Sequence, residues 1–123
     1  FKSDTAAPAP LPESDWYSVN VITCAAPNKA AAQKYENVSD RENTEALKSR
    51  IQFVLDIAEK NEVKTLILGA YGCGVFGQDA KEVAGIFKEF LTTTHTSFDT
   101  VVFAVPDGKN GNYRRFAEVF KEN

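Results

Sequence analysis

The stretch Gly69-Ala70-Tyr71-Gly72-Cys73-Gly74-Val75-Phe76-Gly77 determines the predicted fold. The apolar run Thr65-Leu66-Ile67-Leu68 precedes it and a helical pattern beginning near Asp79 follows it, so the order is strand, glycine-rich loop, helix. Four glycines in nine residues permit positive φ angles and a close approach of a ligand to the backbone. The N–H groups of such a loop suit an anion such as phosphate. The interleaved Tyr71 and Phe76 favour a ligand with a ring or sugar; the alternative is a plain strand-to-helix connection.

Length and composition predict one globular domain. The chain has 123 residues, of which 43% are hydrophobic and 25% charged, as in ordinary soluble domains. A net charge of −3 without a basic run argues against direct nucleic-acid binding. No apolar stretch has the length of a membrane helix and no secretory signal begins the chain, so we expect a cytoplasmic protein without a membrane partner. The two cysteines are far apart in sequence, and we expect no metal and no cofactor.

The first residues of the sequence differ in composition from the rest. The chain begins at Phe1 and contains no methionine, so we expect it to be a piece or a processed product of something longer. Residues 1–15 are rich in proline and alanine, which predicts an extended arm. Residues 16–123 form the predicted domain.

Three apolar runs predict the strands of a sheet: Tyr17–Cys24, Lys64–Leu68 and Thr100–Val105. Because helical patterns separate them, the strands should be parallel with right-handed crossovers, in an α/β fold. The carboxyl ends of all three strands then meet at one rim, where we expect the binding site. Parallel strands need helices on both faces, and a sheet of three strands is expected to be incomplete.

The predicted helices begin at recognisable signals. Residues 39–42 form a capping box before a helix that extends to about Asn61, and residues 79–82 repeat that pattern before the next helix. Residues 29–38 are predicted as loop with at most a helical turn. The apolar spacing of the last residues predicts a short final helix through Tyr113, Phe116, Val119 and Phe120.

Individual residues leave alternatives open. Gly72 to Gly77 fits the dinucleotide fingerprint G-x-G-x-x-G, but three residues separate it from the strand and Asp107 comes later than the usual acidic partner. Cys73 is either a nucleophile activated by the loop or, as we favour, a structural or ligand-lining thiol. Cys24 is expected in the core, and His95, in a polar turn, is expected to be exposed and not a metal ligand.

Three segments together resemble the bacterial-type poly(ADP-ribose) glycohydrolases, a branch of the macrodomains. They are Val21-Ile22-Thr23-Cys24-Ala25-Ala26-Pro27-Asn28, Leu68 to Gln78, and Val101-Val102-Phe103-Ala104-Val105. The resemblance implies a three-layer α/β/α sandwich that binds ADP-ribose or poly(ADP-ribose) across the rim. It also implies that the chain is the C-terminal portion of the domain, and that the missing N-terminal portion is a possible partner.

The resemblance assigns the ligand-binding residues. The diphosphate would lie in the loop formed by Gly69, Ala70, Tyr71, Gly72, Cys73, Gly74, Val75, Phe76 and Gly77, with Tyr71 and Phe76 near the distal ribose. Ala26, Pro27 and Asn28 would form a pocket wall, and Val105, Pro106 and Asp107 would lie toward the adenine. The family's catalytic glutamate comes from a glycine run followed by Gln-Glu-Glu, which this sequence lacks, so no residue here is assigned as catalytic.

The hypothesis of an enzyme therefore applies to the parent protein, which would hydrolyse the ribose–ribose bonds of poly(ADP-ribose). The alternatives are a non-catalytic module that binds ADP-ribose or another nucleotide, and a Rossmann-like dinucleotide-binding protein.

Overall fold

The structure is a computed structural model that describes residues 9–121 of the chain. After a short 3₁₀ turn at Glu13–Asp15, its regular elements are four helices and two strands. They are α1 (Lys29–Tyr35), α2 (Asp40–Lys60), β1 (Thr65–Leu68), α3 (Ala80–Thr93), β2 (Thr100–Phe103) and α4 (Asn112–Lys121). The predicted α/β class is confirmed. Most of the arm predicted for residues 1–15 lies outside the described residues.

The two strands form a parallel sheet with α3 as the crossover between them. Thr65 is opposite Thr100 and Leu68 is opposite Phe103. One face of the sheet packs on helices: the Phe103 ring contacts three phenylalanines at centroid distances of 4.7 to 5.4 Å, namely Phe87 of α3 and Phe116 and Phe120 of α4. On the other face Ile67 is 67% exposed, so within residues 9–121 only one face of the sheet is covered.

Helices α2 and α3 supply most of the core through apolar stripes at helical spacing. The fully or almost fully buried members are Leu47, Ile51, Leu55 and Ala58 of α2 and Val83, Ala84, Ile86 and Phe87 of α3. Leu66 of β1 and Phe116 of α4 pack against this cluster. The core therefore lies between the sheet and the helices, and it holds the loop after β1 in place at its edge.

The two predicted capping boxes differ. At α2 the Ser39 hydroxyl accepts from the Glu42 N–H at 3.1 Å, and the Glu42 carboxylate accepts from the Ser39 N–H at 2.9 Å. At α3 Asp79 accepts from the Glu82 N–H at 2.9 Å, but the Glu82 carboxylate accepts from the Thr44 hydroxyl of α2 instead. The second predicted capping box is therefore only half formed. Its return bond, from the Asp79 N–H to the Glu82 carboxylate, is absent because that carboxylate bonds to Thr44 of α2 instead.

The strand predicted at Tyr17–Cys24 is wrong in this structure. The segment has no regular secondary structure, and within residues 9–121 none of its backbone groups bonds to another segment. Val19 is 61% exposed and Val21 78% exposed. An alternating apolar pattern makes a strand possible, but the strand forms only where a neighbour completes the ladder.

A short helix and the end of one strand also differ from the sequence prediction. Residues 29–35, predicted as loop, form α1, which begins where the Asn28 side chain accepts from the Ala31 N–H at 3.0 Å. The alanines and lysines of this segment are good helix formers. The sequence prediction gave this helix propensity too little weight. Strand β2 ends at Phe103 rather than Val105.

Candidate functional site

The candidate site lies at the carboxyl ends of β1 and β2, and its main part is the loop of residues 69–79. Local hydrogen bonds shape this loop: the Cys73 N–H donates to the Ala70 carbonyl at 3.1 Å, and the Gln78 N–H donates to the Gly72 carbonyl at 3.0 Å. Gly72 and Gly77 have φ angles of 73° and 74°. Glycine adopts this left-handed conformation without the steric cost that other residues meet, so these two positions set the path of the loop.

The glycines of the loop have different surroundings. A Cβ added at Gly72 would come within 2.8 Å of the Ala26 Cβ and of the Gln78 Cγ, so the backbone there is packed against protein. A Cβ added at Gly74 would have no heavy atom within 4 Å. The loop is thus packed on one side and open on the other. The open side is where a ligand has access.

The side chain of Gln78 links three segments of the site through hydrogen bonds. Its side-chain amide donates to the Pro27 carbonyl at 2.8 Å and to the Asn43 side-chain oxygen at 2.9 Å. The Asn43 amide returns a bond to the Gln78 oxygen at 2.9 Å. Both side chains are buried, at 5% and 3% exposure, so three segments are joined by satisfied polar groups in the interior.

Sequence reasoning assigned no role to Gln78 or Asn43. The available signals were a glutamine directly after the glycine loop and an asparagine on the apolar side of α2, four residues before Leu47. Helical spacing would place that asparagine on the buried face, where a polar side chain needs a partner.

The predicted pocket wall lies beside the glycine loop. Pro27 is bound by Gln78, and the Ala30 N–H donates to the Phe76 carbonyl at 3.1 Å. Ala26 touches the position of Gly72, as described above. The structure therefore brings Ala26 to Asn28 and Gly72 to Gly77 together.

The third predicted segment reaches the same rim less closely. Val105 is half-buried against the core, whereas Pro106 and Asp107 are exposed. Within residues 9–121 no hydrogen bond or ion pair joins Val105, Pro106 or Asp107 to the glycine loop. The direct link from this side comes from α4, where the Asn112 amide donates to the Cys73 carbonyl at 3.3 Å.

Three successive N–H groups of the loop have no acceptor in the described part of the chain. They belong to Gly74, Val75 and Phe76, and the Val75 side chain is 91% exposed. The N–H groups of Cys73 and Gly77, on either side of these three, donate to the Ala70 and Gly74 carbonyls at 3.1 and 3.0 Å. Consecutive free backbone donors on an accessible loop are a feature of anion-binding sites in proteins.

Burial disfavours the ionised forms of two side chains of the site, Cys73 and Tyr71. Burial, followed by repulsion from the Asp79 carboxylate, raises the pKa of Cys73 from 9.0 to about 11. Burial and the bond from its hydroxyl to the Cys24 sulfur at 3.4 Å raise the pKa of Tyr71 far above its usual value. A nucleophilic cysteine needs a lowered pKa, so the structure favours a structural thiol at Cys73. Cys24, predicted in the core, is only half-buried.

His95 is not exposed, contrary to the sequence prediction. It is 5% exposed, with its Nε2 at 2.6 Å from the Asp56 Oδ1 and its Nδ1 at 2.8 Å from the Thr94 hydroxyl. The polar residues around it indicated a turn, but α2 lies opposite and supplies a partner. This pair joins α2 to the end of α3 away from the rim. Among residues 9–121 no group of three His, Cys, Asp or Glu side chains could hold a metal ion.

Comparison with solved structures gives strong matches. A mutant of the poly(ADP-ribose) glycohydrolase from Deinococcus radiodurans, solved in complex with ADP-ribose, matches 98% of this chain with 31% sequence identity and a TM-score of 0.81. The apo form of the enzyme matches 96% with 34% identity and a TM-score of 0.76. The enzyme from Thermomonospora curvata matches 77% with 34% identity and a TM-score of 0.68. The resemblance to the bacterial-type poly(ADP-ribose) glycohydrolases is confirmed.

The match to these glycohydrolases covers only part of their length. The chain spans 48% of the Deinococcus radiodurans mutant and 36% of the Thermomonospora curvata enzyme. That share agrees with the expectation that the chain corresponds to a portion of the glycohydrolase domain. No family model and no curated protein matches the chain. In the described part of the chain, no helix is both long and apolar enough to cross a membrane.

Proposed function

We propose that this chain binds ADP-ribose, free or as part of poly(ADP-ribose), at the rim described above. The binding residues are those of Gly69 to Gly77, of Ala26 to Asn28 and of Val105 to Asp107. The observation that carries the proposal is the row of N–H groups at Gly74, Val75 and Phe76 that have no acceptor among residues 9–121, in a part of the loop where Gly74 has open surroundings. The complex of the Deinococcus radiodurans glycohydrolase with ADP-ribose supports it.

The diphosphate fits the chemistry of the glycine loop. Backbone N–H groups donate to phosphate oxygens, and the missing side chain at Gly74 lets the ligand approach the backbone. The loop is held before the ligand arrives, since Gln78 and Asn43 bind its far end to Pro27 and α2. A preformed site loses less conformational entropy on binding than a flexible one.

The proposed activity of the parent protein is hydrolysis of ribose–ribose bonds in poly(ADP-ribose). Glycoside hydrolysis passes through a transition state with oxocarbenium character and needs a positioned acid for the departing oxygen. The carboxylates near the rim are poor candidates: Asp79 caps α3, Glu82 accepts from Thr44, and Asp107 would lie toward the adenine, away from the scissile bond. The acid would therefore come from a segment outside these 123 residues.

Calorimetric titration of the chain with ADP-ribose, NAD and ATP tests the proposed ligand. We expect ADP-ribose to bind most tightly. The variant Gly74→Val should lose binding because its side chain occupies the space of the phosphate, and it should keep its fold because nothing lies within 4 Å of the new Cβ. Gly85→Val is the matched control, since Gly85 also has open surroundings but lies on α3 away from the rim.

Two results would contradict the proposal. Tighter binding of NAD than of ADP-ribose would favour the dinucleotide-binding alternative. Wild-type affinity in Gly74→Val would show that the loop is only a connection between β1 and α3.

We also expect that the chain alone does not hydrolyse poly(ADP-ribose). General acid catalysis contributes about a hundredfold to ten-thousandfold, so its loss should leave at most a trace of released ADP-ribose. Release is measured after incubation of the purified chain with polymer. Robust turnover that disappears in Asp107→Asn would show that the acid lies in this chain after all.

A further inference from the structure

Arg115 of α4 lies at the same end of the molecule as the glycine loop. The N-terminal end of α4 is attached to that loop, because the Asn112 amide donates to the Cys73 carbonyl at 3.3 Å. The Arg115 side chain runs back along the helix toward this end, and its Nη1 donates to the Asn110 carbonyl at 3.1 Å. A Cβ added at Gly111 would lie 3.6 Å from the same nitrogen. The guanidinium therefore lies over the residues that precede α4, at the end of the helix that contacts the loop.

The charge of Arg115 reaches the glycine loop. Burial raises the pKa of the Cys73 thiol, the Asp79 carboxylate adds to the rise, and the Arg115 guanidinium opposes it. Cys73 directly precedes Gly74, the first of the three residues whose N–H groups have no acceptor among residues 9–121. Two opposite charges thus act where the diphosphate is proposed to bind. Asp79 would repel that ligand, and Arg115 is placed to offset the repulsion.

The guanidinium of Arg115 has donors available for an anion. Among the described residues no carboxylate forms an ion pair with it, whereas Lys81 at the start of α3 pairs with Glu118 at 3.1 Å. The Asn110 carbonyl occupies one of its N–H groups, and Arg115 is exposed. Its place is also unfavourable for a cation, since the N-terminal end of a helix carries a partial positive charge. A side chain held against a local preference in this way is a candidate for a functional role.

We propose, on the basis of the binding function proposed above for the rim, that Arg115 binds the diphosphate of ADP-ribose from the α4 side. The N–H groups of Gly74, Val75 and Phe76 would bind it from the loop. A guanidinium suits this role because its paired N–H donors match two oxygens of one phosphate group. Arg115 would then make the site selective for charge, since the diphosphate is an anion and adenosine is neutral.

The alternative is a purely structural role for Arg115. Its bond to the Asn110 carbonyl closes the turn before α4, and loss of that bond could displace the loop through Asn112. Such a displacement would weaken every ligand of the rim by a similar factor, whether charged or neutral. A direct bond to the diphosphate affects only the ligands that carry phosphate.

Calorimetric titration of the full chain with ADP-ribose, inorganic pyrophosphate and adenosine separates these roles. Arg115→Ala should weaken the binding of ADP-ribose and of pyrophosphate about tenfold and leave that of adenosine unchanged. The thermal unfolding of the free variant should stay close to that of the wild type, because the side chain is exposed. Arg114→Ala is the matched control: it removes the same charge from an exposed neighbour that is turned about 100° around α4.

A conservative variant and added salt test whether the contribution is electrostatic. Arg115→Lys keeps the charge but not the paired donors, so it should recover part of the affinity that Arg115→Ala loses. The difference between wild type and Arg115→Ala should shrink between about 0.1 M and about 1 M salt, where the Debye length falls from about 10 Å to about 3 Å. A purely structural role would give the same difference at both salt concentrations.

The outcomes distinguish this proposal from the proposed function. Wild-type affinity for ADP-ribose in Arg115→Ala, an equal loss in Arg114→Ala, or an equal loss of adenosine binding would overturn the role of Arg115 and leave the rim as the ADP-ribose site. Binding of pyrophosphate that depends on Arg115, without binding of ADP-ribose, would support the diphosphate site and overturn the proposed function. Binding of neither ligand to the wild-type chain would overturn both.

Discussion

At the scale of single residues, the glycines of the loop perform different tasks. Gly72 has a φ of 73° and is packed against Ala26 and Gln78, whereas Gly74 has open surroundings. The first shapes the loop, and the second leaves space at its surface. The sequence shows both only as glycines, because neither a φ angle nor a neighbouring side chain can be read from the motif.

Gly72→Ala should destabilise the fold. The left-handed conformation and the overlap at 2.8 Å together should lower the free energy of unfolding by about 2 to 4 kcal/mol. Gly74→Ala should change it by about 0.5 kcal/mol or less. Urea denaturation of both variants measures this difference. Equal effects of the two substitutions would show that the packing of Gly72 is not as described.

The thiol of Cys73 should react slowly at neutral pH. With a pKa of about 11, its reaction with iodoacetamide in a Cys24→Ser background should accelerate about tenfold per pH unit up to that pH. Because burial favours the neutral thiol, its contribution to stability is present below pH 9.0 and is lost as the pH rises from 9.0 to about 11. Fast alkylation that levels off near pH 7 would support the nucleophile that we rejected.

At the scale of elements, the contact between α2 and the glycine loop rests on a buried amide pair. Asn43 and Gln78 exchange two hydrogen bonds of 2.9 Å, and Gln78 also binds Pro27. A buried amide that loses its partner keeps the cost of desolvation. The pair thus couples the position of α2 to the shape of the site.

Gln78→Ala should lower the free energy of unfolding by about 2 to 4 kcal/mol, and Asn43→Ala by a similar amount. The double variant should lose less than the sum of the two, by about 1 to 3 kcal/mol, since each single variant leaves the other residue's amide without this partner and the double variant removes both amides. Denaturation curves of all four proteins complete this cycle. Strictly additive losses would mean that the two side chains do not interact.

The accuracy of the sequence prediction differed between elements for a physical reason. Helix α2, β1 and α3 were predicted well because their signals are local: Ser39, the apolar run before Gly69, and the stripe around Phe87. The strand at Tyr17–Cys24 was wrong because pairing depends on a distant partner. The prediction that the His95 side chain is exposed was wrong for the same reason, since its partner Asp56 lies on another helix.

At the scale of the whole molecule, the rim brings together segments that are far apart in sequence. The parallel order of β1 and β2 predicted that their ends would meet, and Ala26 to Asn28 does lie beside the glycine loop. The role of Gln78 could not be predicted, because it depends on the packing of three segments. The role of the rim in ligand binding remains our proposal.

The most direct test of that proposal follows the backbone amides of the glycine loop by NMR during titration with ADP-ribose. Bonds to the diphosphate should shift the amide proton signals of Gly74, Val75 and Phe76 downfield and slow their exchange, while the amides already bonded within the loop, such as Cys73 and Gln78, should change little. The proposal is contradicted if ADP-ribose binds but leaves these three signals unchanged, or if saturating ADP-ribose changes no signal of the chain.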